Sequence, residues 1–116
     1  MERSRVYRNY NYLMSLRASR GRRQLLRNIT SAQTEAIAEV AKRIMDGTIS
    51  PLRRDIRLFD RKRLVLRSLS SRRVSVARKR DMLLRHHTLL PVLLRSMYLI
   101  VTVVDEIRRA SVNSEQ

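Results

Sequence analysis

The chain has no cysteine, no tryptophan, two glycines, two prolines and one phenylalanine among 116 residues. Each shortage removes a class of protein. Without cysteine there is no disulfide, no thiolate metal site and no thiol nucleophile. With only Gly21 and Gly47, no glycine-rich loop is present to cradle a nucleotide's phosphates. Phe59 and four tyrosines are the whole aromatic complement, and Tyr7, Tyr10 and Tyr12 crowd the N-terminus. The basic stretches therefore lack interleaved aromatics, which excludes the stacking platform that single-strand binders use. The core is expected to be aliphatic. The opening Met-Glu-Arg-Ser-Arg-Val has no apolar stretch behind its charges, so it does not read as a secretory signal.

Acid is scarce as well. Ten Asp and Glu face 26 Lys and Arg, for a net charge of +16. Solubility alone is served by a net charge of roughly 2–8 in a small domain. A larger surplus costs stability through self-repulsion and points to a polyanionic partner. Lysine is nearly missing: apart from Lys42, Lys62 and Lys79, the other 23 basic residues are arginine. Arginine's planar fork holds phosphate oxygens in pairs and sheds water more readily than an ammonium. A G+C-rich coding sequence would also favour arginine, but phosphate binding is the reading preferred here.

What remains is helical patterning, and the fold class expected is all-α, a small bundle of four to five helices with a basic outer face. Hydrophobic residues make up 43% of the chain, enough for one side of several helices but only a modest core. A first segment, Arg5 to Asn28, carries Tyr12, Leu13 and Leu16 and then Leu25, Leu26 and Ile29 at helical spacing. Gly21 divides it, so one broken helix or two short ones fit. A second opens with a Thr30/Gln33 capping box and continues through the stripe Ala36, Ile37, Val40, Ala41 and Ile44. Gly47 follows as a left-handed stop. A third is expected to start at Ser50-Pro51, to bury Leu52, Ile56, Phe59, Leu66 and Leu69, and to break near Asp60. Residues Ser68 to Arg73 read as a loop. A fourth opens at the cap Ser75 and is interrupted at His86-His87-Thr88 and Pro91, where a through-running helix must end or kink. A fifth, Leu89 to Val104, carries one charge, Arg95. Helix is favoured there, although the β-branched run Leu99–Val104 would also suit a strand. The domain division expected is an N-terminal arm over 1–10, one basic helical domain over 11–109 and a disordered tail over 110–116.

The basic residues fall in clusters: Arg20, Arg22, Arg23 and Arg27; Arg53, Arg54 and Arg57; Arg61, Lys62, Arg63 and Arg67; Arg72 and Arg73; Arg78, Lys79, Arg80 and Arg85. Between Gly47 and Val104 there are sixteen basic residues, counting His86 and His87, against Asp55, Asp60 and Asp81. A solvated face neutralised by its own counter-charges would not be so lopsided. All of these clustered residues except Arg27 are taken as the candidate nucleic-acid contacts. No zinc-finger spacing or RNA-recognition signature occurs, so backbone neutralisation without sequence preference is expected. His86-His87 is a poor joint metal site, because adjacent helical positions diverge by about 100° and no third ligand follows at a useful spacing. No nucleophile–base–acid setting is present. Neither a catalytic activity nor a cofactor is expected. Leu89–Val104 is shorter than the roughly 20 residues that span a bilayer. It is read as a core helix or a homo-oligomer face, with a membrane-active segment as the rival.

Several short motifs also carry a family likeness. They are Tyr12-Leu13-x-x-Leu16, Arg23-x-Leu25-Leu26, Ile44-Met45-Asp46-Gly47-Thr48-Ile49, Leu66-Arg67-Ser68-Leu69, Arg72-Arg73-Val74-Ser75 with Arg78-Lys79-Arg80, and Leu89-Leu90-Pro91-Val92-Leu93-Leu94. Their order over about residues 12–94 resembles the small basic virion core proteins, akin to adenoviral core proteins, of polinton-like and adintovirus elements. That family places a Gly-Gly-Phe-like turn before the Leu-Leu-Pro run and a glycine-rich hydrophobic end after it. Here those places hold His86-His87-Thr88 and a β-branched, polar-capped end. The resemblance implies DNA compaction in a virion or an infected nucleus. Composition by itself implies polyanion binding, which a structural RNA-binding protein or a capsid-associated, membrane-active protein would also satisfy.

Overall fold

The computed structural model describes residues 5–17 and 20–95. Among these residues eight α-helices follow one another: α1 (Arg5–Arg8), α2 (Tyr10–Ser15), α3 (Arg22–Arg27), α4 (Ser31–Met45), α5 (Ile56–Arg61), α6 (Arg63–Ser70), α7 (Val76–Arg85) and α8 (Leu90–Arg95). Two 3₁₀ turns, Arg53–Asp55 and His87–Leu89, lead into α5 and α8. The fold is all-α, and no strand occurs among the described residues.

The longest helix, α4, is the axis of the bundle, packed against α1, α2, α6, α7 and α8. Its start follows directly from sequence. The Thr30 hydroxyl accepts from the Gln33 N–H at 3.1 Å, and the Gln33 side chain accepts from the Thr30 N–H at 3.0 Å. Thr34, Ala36, Ile37, Ala38, Val40 and Ala41 are all buried. Burial so far round a helix belongs to a central element, and the alanines let neighbouring backbones approach closely. At its end Gly47 adopts φ +78°, and its N–H donates to the Ile44 carbonyl at 3.3 Å. The Ile49 N–H reaches back to the Arg43 carbonyl at 3.1 Å, which turns the buried Ile49 side chain into the core. The Asp46 carboxylate accepts from the Thr48 N–H and hydroxyl, and these bonds hold its pKa below the ordinary value.

The first segment is broken as its glycine suggests: Gly21, at φ +77°, separates α2 from α3. The Tyr12 hydroxyl donates to the Leu25 carbonyl at 3.0 Å and clips the two helices together. Burial pushes the Tyr12 pKa up to about 12. The expected N-terminal arm is shorter than 1–10. Residues 5–8 already form α1 on α4, with Val6 fully buried.

Three other expectations shift. The third segment does not begin at Ser50-Pro51, because Leu52 is extended and the first turn is the 3₁₀ turn Arg53–Asp55. That phase puts Asp55 inside, at 6% exposure, on Arg95 at 3.6 Å, and leaves Leu52 and Ile56 facing outward. This face of the segment thus buries an ion-paired carboxylate and leaves two residues of the apolar stripe outside. Phe59, Leu66 and Leu69 are buried as expected, and the chain does break, at Lys62. Second, α6 continues through Ser70, so the loop starts at Ser71 and not at Ser68. Third, Pro91 ends nothing. The break falls at His86, and Pro91 is the second residue of α8, where a missing N–H costs no helical bond.

Leu89, Leu90, Leu93 and Leu94, the start of the fifth segment, are core residues. Its remainder, with the helix-or-strand question at Leu99–Val104, lies outside the described residues, as does the tail 110–116. Among the described residues no helix is long and apolar enough to cross a membrane.

Candidate nucleic-acid interface

Of the sixteen basic residues singled out by sequence, two are turned inward. Arg22 is 4% exposed. Its Nε donates to the Leu16 carbonyl at 2.7 Å, Nη2 to the Arg17 carbonyl at 3.1 Å and Nη1 to the His87 carbonyl at 3.3 Å. It ties the end of α2 to the α7–α8 turn, and burial lowers its pKa. Lys79 is 3% exposed and paired with Glu35 of α4 at 3.5 Å. Glu35 is also 3.6 Å from Arg5 of α1. Neither Arg22 nor Lys79 is available to a ligand at the surface, so both are removed from the candidate set. The cause is tertiary: each meets an oxygen acceptor from a distant stretch of chain.

Lys62 and Arg80 are half-buried, and the Arg80 Nε is enclosed. The other twelve, Arg20, Arg23, Arg53, Arg54, Arg57, Arg61, Arg63, Arg67, Arg72, Arg73, Arg78 and Arg85, are exposed. Seven of them lie on helices packed each against the next, α3 on α7, α7 on α6, and α6 on α5, while Arg20, Arg53, Arg54, Arg72 and Arg73 lie in the turns flanking these helices. A chain of packed helices therefore carries the charge from Arg23 to Arg61.

Their counter-charges are missing. Of the thirteen Lys and Arg from Arg53 to Arg85, only Lys79 has a carboxylate within salt-bridge distance among the described residues. The carboxylates that do pair serve Arg5, Arg43, Lys79 and Arg95. Asp60 sits beside Arg57 and Arg61 in a shallow depression without forming an ion pair, and Asp81 is exposed on α7.

Two concavities draw basic residues together. Between α6 and α7, Ser68, Val74, Arg78, Met82, Arg85 and His86 line a cleft of about 210 Å³. A broader one, near α2 and α8, is lined by Met14, Arg17, Arg54, Pro91 and Arg95. Sequence reasoning missed Arg17 and Ser68. Arg17 lies 37 residues from Arg54, and a lone serine carries no signal; only the packing brings them in.

Compared with protein-family models, curated proteins and solved structures, the chain matches none. The arrangement of its own charges must therefore carry the functional reading.

The histidine pair is divided by the turn that contains it. His87 Nε2 accepts from the Arg23 Nε at 3.3 Å, and its Nδ1 is buried without a partner among the described residues. His86 lies at the α6–α7 cleft, its pKa lowered first by burial and then by Lys62 and Arg85. Among the described residues no cluster of three or more His, Asp or Glu is placed to hold a metal ion.

Proposed function

We propose that the protein binds the phosphate backbone of DNA without sequence preference and serves to package it. The observation that carries this reading is that, among the described residues, twelve of the thirteen cations between Arg53 and Arg85 have no carboxylate partner. A folded surface that leaves so many guanidiniums without carboxylates suits a polyanion laid across it. Arginine's forked geometry favours phosphate oxygens over a diffuse counter-ion cloud. The helices hold the charges on a frame with a packed aliphatic core, so binding does not require the whole chain to order itself first. Direct reading of bases is not part of this proposal, because the charges are distributed over several elements and no single helix is singled out as a groove reader. The resemblance in motif order to virion core proteins of polinton-like and adintovirus elements agrees with such a role. It extends the proposal to DNA compaction inside a capsid or an infected nucleus.

Counterion release provides the test. Each neutralised phosphate contributes about −0.9 to the slope of log K against log salt on duplex DNA. Twelve exposed arginines, of which about half engage at once, give an expected slope near −5, with equal affinity for unrelated duplexes. A slope near zero, or no binding at low salt, overturns the reading. Structured RNA that outcompetes duplex DNA at equal phosphate concentration overturns the assignment to DNA and leaves an RNA-binding protein.

A further inference from the structure

The exposed arginines are not equivalent. Arg78 and Arg85 are seven residues apart on α7, so they lie on almost the same line of the helix, about 10.5 Å apart along its axis. Both line the cleft against α6, with Met82 one turn beyond Arg78 and Val74 just before the helix. Ser68 enters from α6 and His86 from the turn after α7. Neither arginine has a carboxylate partner among the described residues. Asp81, between them in sequence, is exposed and does not line the cleft. Two cations that repel one another thus share one small concavity without an anion of the protein's own.

We propose that the α6–α7 cleft seats a single phosphodiester of the nucleic-acid backbone, held between Arg78 and Arg85 with the Ser68 hydroxyl as a third donor. This rests on the reading of the protein as a binder of nucleic-acid backbone and names the place where that backbone is anchored. Two guanidinium forks and a hydroxyl supply enough N–H and O–H groups for the non-bridging oxygens of one phosphate. A cleft of about 210 Å³ accommodates a phosphate and its sugar attachments, and with no aromatic wall it offers a base nothing to stack on. Val74 and Met82 make part of its lining apolar, which strengthens the charge–charge attraction relative to open solvent. The other arginines then act as diffuse partners along the strand, while this pair fixes its position.

His86 reports on the cleft. Apart from burial, what lowers its pKa is Lys62 and Arg85, and Arg78 shares its cleft. A phosphate placed among these cations favours the imidazolium, so ligation raises the His86 pKa. The experiment follows the His86 ring proton by NMR across pH in the full chain, alone, with a 20-base-pair duplex and with inorganic phosphate. His86→Gln assigns the signal. The comparison variants are Arg78→Gln/Arg85→Gln and, with the same charge removed outside the cleft, Arg57→Gln/Arg63→Gln. All four positions are exposed, and circular dichroism checks that each variant folds. Duplex is expected to raise the His86 pKa in the natural chain and in Arg57→Gln/Arg63→Gln, and not in Arg78→Gln/Arg85→Gln. Arg78→Gln/Arg85→Gln is expected to lose about 2 from the salt slope, and Arg57→Gln/Arg63→Gln, whose sites engage about half the time, about 1.

Duplex binding that leaves His86 unmoved, or moves it equally in Arg78→Gln/Arg85→Gln, overturns the cleft while the broader function stands. Inorganic phosphate raising the pKa in a chain that binds neither duplex nor RNA overturns the nucleic-acid assignment and makes this a free-phosphate site. No binding of duplex, RNA or inorganic phosphate at low salt overturns both.

Discussion

Arg22 and Arg78 carry the same guanidinium, and their surroundings give it opposite work. Arg22 satisfies three carbonyl oxygens that close one helix and brace a turn, whereas Arg78 opens into a cleft without an acid. Replacing each by glutamine should separate the two roles. Arg22→Gln leaves buried carbonyls short of donors, at a cost of about 1–3 kcal/mol in urea denaturation. Arg78→Gln should change stability by no more than about 0.5 kcal/mol, while reducing the salt slope of duplex binding by about 0.9. Tyr12 offers a second check at this scale. Its neutral hydroxyl is favoured by the folded state, so its folded pKa lies above its unfolded one. The stability it contributes is complete below pH 10 and declines as pH rises towards 12. Tyr12→Phe should lose about 0.5–1.5 kcal/mol at neutral pH through the missing bond to Leu25. It should also flatten the decline in stability over that alkaline window.

Individual elements show where local chemistry suffices. The start of α4 needs nothing beyond Thr30 and Gln33, and its end nothing beyond a residue tolerant of positive φ. At Gly47 a Cβ would meet nothing within 4 Å, so the cost of a side chain there is backbone strain alone. Gly47→Ala should therefore destabilise by about 1–2 kcal/mol, with Gly47→Asn recovering much of it, since asparagine visits this region more readily. Thermal unfolding of the two variants measures the difference. The 3₁₀ entry to α5 is the opposite case. There Asp55 is buried on Arg95 while Leu52 and Ile56 face outward, and Arg95 lies 40 residues away, beyond the reach of local pattern.

For the whole molecule, net charge sets the response to solution conditions. A surplus of 16 positive charges strains the compact state, and added salt screens that repulsion. His86 sharpens the response on the acid side. Its folded pKa lies below the ordinary 6.5, so the stability it contributes is present above pH 6.5 and is lost as pH falls through the lowered folded value. The melting temperature should thus fall between pH 7.5 and pH 5, and less so in His86→Gln. Duplex DNA bound in the cleft should also reduce the fall, because it favours the protonated ring.

Sequence by itself determined the helical class, the caps of α4 and α7, the glycine breaks and the aliphatic identity of the core. Those features depend on spacing within a few residues or on composition, and both are complete in the chain. It also determined that positive charge must dominate the surface, because the acids are too few to neutralise it. Tertiary structure alone decided which cations remain at that surface. Arg22 and Lys79 stand beside Arg23 and Arg78 in sequence, and what meets them inside the fold from far along the chain is the His87 carbonyl for Arg22 and Glu35 for Lys79. The α6–α7 cleft is likewise a product of packing, since Ser68 and Arg85 line one cavity only where the two helices pack together on α4.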